Sequence, residues 1–488
     1  MKQKSIMKNS IFYMAYNVLN MLFPFVTSLY LARVLLPESI GQVTYANNIV
    51  TYFTILAFLG IPTYGLREVA NARDDQGKLD RLFSELYIIN GISTTVFSLA
   101  YFGMILTVPA FQEHLALHLL VGLYVILNAF NITWLFEGLE NFSYISVKDS
   151  IFKLIAFVLL ILFVKSEADI MLYVGISLFG TCGSYFINML YALRFVHFTT
   201  KGLNLKRHMK PILLLVVVNL AIEIYTLVDT TMLGSMLPKE HVAFYTYASR
   251  INRVILSVTN TITMVLVPRI SYYYENKRTD EFNQLLTKGL KTRFILAIPM
   301  IVGIQCTARY LICLLYGETY LPSVSVERVL SLALIISPVG YLLGSRVMLV
   351  SKQENKMAIC VGAGAVVNVI GNFFLIRICA EMGAAIASVI GEIVVMTVYL
   401  HFGRKVFRLY PYKSTLLKVI IAAAAEAAVL FLCRLLVPNE MIRTILQIIL
   451  GIVTYVLVLY ATHDDTFDGY LRYFLSRILP RRIMKRFG

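Results

Sequence analysis

Stretches of about 20 apolar residues, long enough to cross a hydrocarbon core as helix, recur about fourteen times along this chain, and no other feature limits its fold as much. They lie near residues 11–33, 41–61, 83–107, 115–136, 146–164, 170–193, 211–235, 241–267, 293–315, 325–350, 357–377, 383–403, 416–437 and 441–461. In lipid such segments must satisfy their own backbone hydrogen bonds, which leaves helices or a closed barrel. The apolar residues run around each segment without the period-two alternation of a membrane barrel, so the expected fold is an all-α polytopic membrane protein. Composition agrees: 58% of the 488 residues are hydrophobic and 15% charged, against roughly 45–50% and about 25% in soluble domains. The first stretch reads as a retained helix, because residues 1–10 lead into a full-length span and no small-residue cleavage site follows a short apolar core.

The formal charge of +16, from 44 Lys+Arg against 28 Asp+Glu, would suit a nucleic-acid partner in a soluble protein. Here a mean hydropathy of +0.73 leaves no polar face to present one. The positive charge instead alternates along the chain, as expected when cytoplasmic loops retain Lys and Arg. Lys2, Lys4 and Lys8; Arg67, Arg73, Lys78 and Arg81; Arg194, Lys201, Lys206, Arg207 and Lys210 fall on one side, joined by clusters at 269–293, 352–356 and 404–418. The opposite side carries scattered single positives: Arg33, Lys165, Lys239, Arg328, Arg377, Arg434 and Arg443. This pattern places the protein in the cell (cytoplasmic) membrane with both termini cytoplasmic. The six cysteines lie in or beside apolar runs with no CxxC spacing and no histidine cluster, which argues against a disulfide scaffold or zinc site. No loop is long enough for a soluble catalytic domain, which disfavours a membrane glycosyltransferase or polymerase. No GxxxxGK[ST] loop is present to support ATP-driven transport.

The chain also repeats itself. At a constant offset of 202 (210 − 8), Lys8 meets Lys210, Asn17 meets Asn219, Glu38 meets Glu240, Thr44-Tyr45-Ala46 meets Thr246-Tyr247-Ala248, and Arg67 meets Arg269. Ile49 with Ile251, Ile40 with Val242 and Gly41 with Ala243 add apolar agreement. Matched polar residues at helix ends carry more weight than apolar coincidences, and fixed-period similarity marks real architecture. The offset spans six helices, an even number, so the halves share one orientation as parallel repeats. The expected organisation is an N-terminal six-helix lobe over 1–203, a second over 204–410, two additional helices over 411–465, and a basic amphipathic tail over 466–488 that would lie on anionic membrane lipids. Two such lobes around a midplane cavity would work by alternating access.

Arg33-Val34-Leu35-Leu36-Pro37-Glu38-Ser39-Ile40-Gly41, Gly65-Leu66-Arg67-Glu68-Val69-Ala70, Asp229-Thr230-Thr231-Met232-Leu233-Gly234 and Tyr245-Thr246-Tyr247-Ala248, in that order and at those helix positions, resemble the Wzx-type polysaccharide and O-antigen repeat-unit flippases. That family belongs to the MOP superfamily with the lipid II flippases and the MATE drug exporters. The resemblance extends over nearly the whole chain. It implies a V-shaped bundle of two lobes that moves undecaprenyl-pyrophosphate-linked oligosaccharide between leaflets, beside a polysaccharide polymerase or glycosyltransferase complex, and without an enzymatic step or a cofactor.

Such a substrate has a diphosphate and sugars that need shelter from hydrocarbon, so its cavity should be wet and cationic. Ionisable residues inside spans are costly and therefore functional candidates. Arg250 and Arg253 stand about one turn apart on the eighth span, and guanidinium groups grip phosphate oxygens in bidentate fashion. Arg33 ends the first span, where it would add to the pocket or anchor at the interface. The lipid II flippases use arginines of the first, second and eighth helices, whereas the second span here offers Asn47 and Asn48. Arg67 and Arg269 occupy repeat-related positions, as positive-inside anchors or as headgroup-capturing residues at a cytoplasmic gate.

Coupling to Na+ or H+ would need oxygen donors inside spans. Glu223 and Asp229 on the seventh span, Asn368 and Asn372 on the eleventh and Glu392 on the twelfth supply them. The lipid II flippases form a sodium site from an acid on the seventh helix and a pair spaced four apart on the eleventh; here the second of that pair is Asn372, not a carboxylate. Asparagines bonding between helices, with Glu392 or Glu223 accepting protons, is the competing arrangement. His114 and His118 share a helix face without a third ligand, Trp134 and Tyr144 read as an interfacial belt, and Glu426 reads as an acid facing the bundle. A cation-coupled MATE-type exporter, a lipid II flippase and a transport-inactive scaffold are the alternatives. The exporter would be expected to have an acidic, aromatic cavity, whereas the arginines favour anions.

Overall fold

A computed structural model describes residues 6–478. Among the described residues the ordered elements are all helical. Internal contacts gather the chain into two units, one ending at Ala243 and one beginning at Phe244. The first contains α1 (Ile6–Val34), α2 (Pro37–Phe58), α3 (Ile61–Ala72), α4 (Gln76–Thr107), α5 (Leu115–Leu127), α6 (Thr133–Gly138), α7 (Phe142–Phe163), α8 (Ile170–Ala192) and α9 (Lys206–Met236). The register of the repeat divides at 203/204, whereas the contacts divide after α9, because α9 packs on α2 and α3.

Local chemistry fixes the breaks between these helices. Pro37 opens α2 with its ring-fixed φ and holds the preceding Leu36 extended (φ −68°, ψ 152°). The Leu36 N–H donates to Glu167 Oε2 at 2.6 Å and the Ser39 hydroxyl donates to its other oxygen, so a carboxylate from the turn before α8 covers the positive end of α2. Leu59 (φ 50°) ends α2, and a Cβ on Gly60 would stand 2.4 Å from the Leu215 Cβ, so only glycine admits α9 this closely. Asp75 caps α4 by accepting the Lys78 N–H at 3.1 Å, which with the Lys78 ammonium holds its carboxyl below the usual range.

The core of this unit is Ile61, Leu79, Leu86, Leu135 and Phe136. Trp134 belongs to it, 2% exposed and against Gly65, where a Cβ would meet its ring at 2.6 Å. The interfacial-belt expectation for Trp134 is therefore corrected: the short α6 carries the indole inward against α3.

The second unit contains most of α10 (Glu240–Glu275), then α11 (Thr279–Tyr316), α12 (Ser323–Ser331), α13 (Ala333–Gly340), α14 (Val347–Val350), α15 (Glu354–Gly403), α16 (Lys413–Leu436), α17 (Glu440–Ala461) and α18 (Asp465–Ile478). Although continuous by hydrogen bonding, α15 reverses at Cys379 and Ala380, the latter at φ 49°. Gly364 opposes Val395, Gly371 opposes Ala387 and Gly391 opposes Asn368, so 354–378 and 381–403 form an antiparallel hairpin closed on small residues. The sequence reads these as separate spans, 357–377 and 383–403.

Among the described residues, ten helices are long and apolar enough to cross a membrane. The difference from the fourteen stretches lies in α1, α7 and α10, which are outside the ten, and in the α15 hairpin, which counts once among them. For α7 the cause is its charge: Lys148, Asp149 and Lys153 interrupt the apolar run. Glu426 on α16 is buried, 3.6 Å from where a Gly451 Cβ would stand on α17. The Tyr455 hydroxyl ties α17 to α11 by donating to the Ile295 carbonyl at 2.8 Å. The start of the expected tail is α18, docked on α11 through Tyr470 and Thr292 (2.9 Å). Its basic side chains from Arg472 onward, like Lys2 and Lys4, lie outside the described residues.

Candidate functional site

In the first unit the polar residues of α2 face α9. Asn48 is buried and donates to Thr230 Oγ1 at 2.7 Å, and the Tyr52 hydroxyl lies 3.0 Å from Thr231 Oγ1. Asp229 is buried beside them, and Glu223, two turns earlier on α9, accepts from Thr226 Oγ1 at 3.0 Å. Both acids lie within electrostatic range of Tyr52. They therefore belong to the first unit, where the repeat register places their helix in the second. Asn47, one residue before Asn48 and so rotated about 100° around the helix, is exposed and available to a substrate. Arg33 is exposed in the last turn of α1, where cationic charge suits the helix C-terminus. Arg67 is exposed on α3 with its guanidinium over the Tyr64 ring (5.6 Å) and 3.4 Å from Glu68.

Two charged groups here escaped the sequence reading. On α7, Lys148 is 7% exposed, 3.0 Å from Asp149 and bonded to Asn188 Oδ1 on α8; Lys153 donates to Asn20 Oδ1 on α1. Asp149 and Lys153 face a cavity of about 260 Å³ shared with Glu137, Asn131, Thr133 and Tyr185. The signal was available: three charges within 148–153 of an apolar run. The second group is Glu85 on α4, 1% exposed, which accepts from the Asn204 N–H (2.6 Å), the Arg207 guanidinium and His208 Nε2 (2.8 Å), while His208 Nδ1 bonds the Tyr64 hydroxyl (2.8 Å). This network joins α3, α4 and α9.

In the second unit Arg250 is half-buried on α10, its guanidinium 5.2 Å from the centre of the Tyr247 ring. Tyr247 is itself stacked on Tyr320 (4.8 Å) and tilted against Tyr316 (4.5 Å), so an aromatic wall fixes the arginine stem. Arg253, one turn on, is exposed, as is Arg269 just after Pro268. Across the α15 hairpin, Asn372 donates to Asn368 Oδ1 (3.3 Å), Asn368 to Ser388 Oγ (3.5 Å), and Ser388 meets the Tyr245 hydroxyl (3.0 Å). Glu392, one turn beyond Ser388, accepts from Ser337 on α13. The oxygen donors named from sequence thus form two sets: Glu223 with Asp229 in one unit, and Asn368, Asn372 and Glu392 in the other. Among the described residues no three or more His, Cys, Asp and Glu gather as a metal cage, and His118 packs edge-on against Phe111 (5.1 Å).

These features define a polytopic, all-helical membrane protein with polar side chains held between its apolar helices. Residues 6–274, more than half of the chain, match the polysaccharide biosynthesis protein family, and the chain belongs to it. Residues 215–374 also match the MatE family. The chain is similar to a protein of Escherichia coli (strain K12) named as an O-antigen transporter, 23% identical over 414 residues, covering 82% of this chain and 97% of that one. It is similar to a Haloferax volcanii protein named as the low-salt glycan biosynthesis flippase Agl15, 21% identical over 47% of this chain and 49% of that one. In fold it matches a structure of the lipid II flippase MurJ in an inward closed conformation, with TM-score 0.75 and 16% identity over 93% of this chain and 99% of that one. The Wzx-type, MOP-superfamily resemblance read from sequence agrees with these matches.

Proposed function

We propose that this protein is a flippase carrying undecaprenyl-pyrophosphate-linked oligosaccharide from the inner to the outer leaflet of the cytoplasmic membrane by alternating access, for capsule or O-antigen synthesis. The observation that carries this reading is the arginine pair of α10 in a chain of the polysaccharide biosynthesis family: Arg250 braced on Tyr247, Arg253 exposed one turn away. An exposed guanidinium within an apolar helix needs water or an anion, and a diphosphate supplies oxygens in the geometry that guanidinium groups fit. In this scheme Arg250 and Arg253 hold the diphosphate, Arg33 and Asn47 contact the headgroup or first sugar, and Arg67 and Arg269 capture it at the cytoplasmic side. Fourteen crossings with both termini cytoplasmic complete the topology. The coupling ion, Na+ or H+, would be held by Asp229 and Glu223, or by Asn368, Asn372 and Glu392. A polymerase or glycosyltransferase complex would receive or supply the glycan.

The test is complementation in a strain lacking its own copy. Arg250→Ala and Arg253→Ala should each cut surface polysaccharide about tenfold or more, the loss expected for a charged hydrogen bond, while Arg250→Lys, keeping charge but losing the fork, restores part of it. Normal polysaccharide in both alanine variants at normal protein levels overturns the assignment. The MatE match over 215–374 favours a second reading, a cation-coupled small-molecule exporter. Drug resistance on overexpression with no polysaccharide defect on deletion would select it, and rescue of lipid II flippase depletion would select a lipid II flippase.

A further inference from the structure

Four arginines far apart in sequence meet in one cavity of the second unit. Arg309 on α11, Arg328 on α12, Arg434 on α16 and Arg443 on α17 line a space of about 480 Å³, together with Glu440 and Gln447. Four guanidinium groups against one carboxylate leave the lining at +3 (4 − 1). Glu440 is spent on two of them, 3.2 Å from Arg443 and 3.9 Å from Arg309. Among the described residues Arg328 and Arg434 have no ion-pair partner. Like charges gathered at this density repel, and they persist together where an anion neutralises them. Leu321 and Val324 add apolar lining, and Leu435, Leu436, Met441 and Ile442, next in sequence to Arg434, Glu440 and Arg443, are exposed on α16 and α17. A basic recess on helices that also expose aliphatic side chains is the chemistry of a lipid headgroup site at a membrane interface.

We propose that this cavity binds the phosphate or diphosphate headgroup of a lipid, with Arg328 and Arg434 as its principal ligands. The positions belong to the side that the charge asymmetry makes external, so on the flippase reading the site lies in the outer leaflet. Two lipids carry the required headgroup: an anionic phospholipid of the bilayer and the polyprenyl diphosphate of the proposed substrate. Glu440 then acts as the competing anion, holding Arg309 and Arg443 until a headgroup takes its place.

Cys306 offers the readout. It lines the cavity and is exposed, while the other five cysteines are buried or half-buried, and it lies within electrostatic range of Arg328 and Arg434. The full chain in a zwitterionic detergent is treated with an uncharged maleimide, and modification of Cys306 is followed by peptide mass spectrometry. The added probes are phosphatidylglycerol, farnesyl diphosphate, phosphatidylcholine or inorganic phosphate. Phosphatidylglycerol or farnesyl diphosphate should slow modification at concentrations where phosphatidylcholine and inorganic phosphate do not, and whichever acts at lower concentration identifies the source. The Arg328→Gln/Arg434→Gln protein should need about tenfold more of that lipid for the same protection. Glu440→Gln should need less, because the competing carboxylate is gone. Protection by neither anionic lipid, equal protection by phosphatidylcholine or inorganic phosphate, or unchanged protection in the double variant with an unchanged melting temperature would overturn the proposal. If the double variant melts early, Glu440→Gln decides alone: no gain in affinity overturns it. Binding is read without translocation, so this result stands apart from the polysaccharide phenotype of the Arg250 and Arg253 variants.

Discussion

A charge inside an apolar helix is tolerated only with partners, and that rule sorts the residues here. Glu85 is a buried acid with three partners, the Asn204 N–H, the Arg207 guanidinium and His208, and His208 is about as buried as the carboxylate. Taking the charge away leaves Arg207 and His208 facing a neutral amide, so Glu85→Gln should destabilise the protein by about 3 kcal/mol, seen as a lower midpoint in thermal unfolding, whereas the exposed Arg81→Gln should not. The α7 group is a different case, because Asp149 and Lys153 face a cavity rather than a closed core. Asp149→Asn keeps shape and hydrogen bonding but removes a titratable charge. If this cavity moves ions, the variant should keep its unfolding temperature and lose surface polysaccharide at least fivefold; a fall in stability with normal polysaccharide would make it structural. The sequence exposed Arg250 and Arg253 because they interrupt an apolar run, and the same rule applied to Lys148, Asp149 and Lys153 would have exposed them too. It could not choose between Asn47 and Asn48: the two differ by one step of helix rotation, and the packing of α9 decides which is buried.

At the scale of elements, hydropathy is legible because a spanning helix needs only a length of apolar sequence, and the stretches read from the chain are mostly helical, with breaks inside 41–61 and 115–136. The breaks were less legible. The end of α2 at Leu59 and Gly60 depends on how closely α9 approaches, and the burial of Trp134 on the turn-and-a-half of α6, which no local signal announces. The two arms of α15 were legible as the spans 357–377 and 383–403, but not the contact of Gly364, Gly371, Ala387 and Gly391 that closes them, because small residues signal packing only once their partner is known. A Cβ on Gly364 would sit 2.2 Å from Val395 Cγ2 and 3.0 Å from the Gly391 carbonyl, whereas one on Gly362 meets nothing within 4 Å. Gly364→Ala should therefore cost about 1–3 kcal/mol through overpacking, and Gly362→Ala should be neutral or stabilising through helix propensity. Thermal melts of the two variants in one detergent separate these outcomes.

For the molecule as a whole, the repeat is written twice in comparable terms. Glu38 and Glu240 each stand in the first turn of their helix, and Ala46 and Ala248 are each fully buried. The aromatic partners differ: Tyr45 receives the Lys239 ammonium (4.2 Å) in the first unit, while Tyr247 receives Arg250 in the second. What sequence could not supply is convergence in space, as with Arg309, Arg328, Arg434 and Arg443, which read as unrelated positions until four helices bring them together. Vectorial movement of a diphosphate-linked glycan can be measured with purified protein in proteoliposomes holding a fluorescent undecaprenyl-pyrophosphate oligosaccharide, by following the labelled lipid that becomes accessible to an impermeant quencher. A flippase should give transfer with the unaltered protein, transfer reduced about tenfold or more by Arg250→Ala/Arg253→Ala, and none in protein-free vesicles. Transfer at equal rates in both proteins, or none with the unaltered protein under any imposed Na+ or H+ gradient, would contradict the flippase reading.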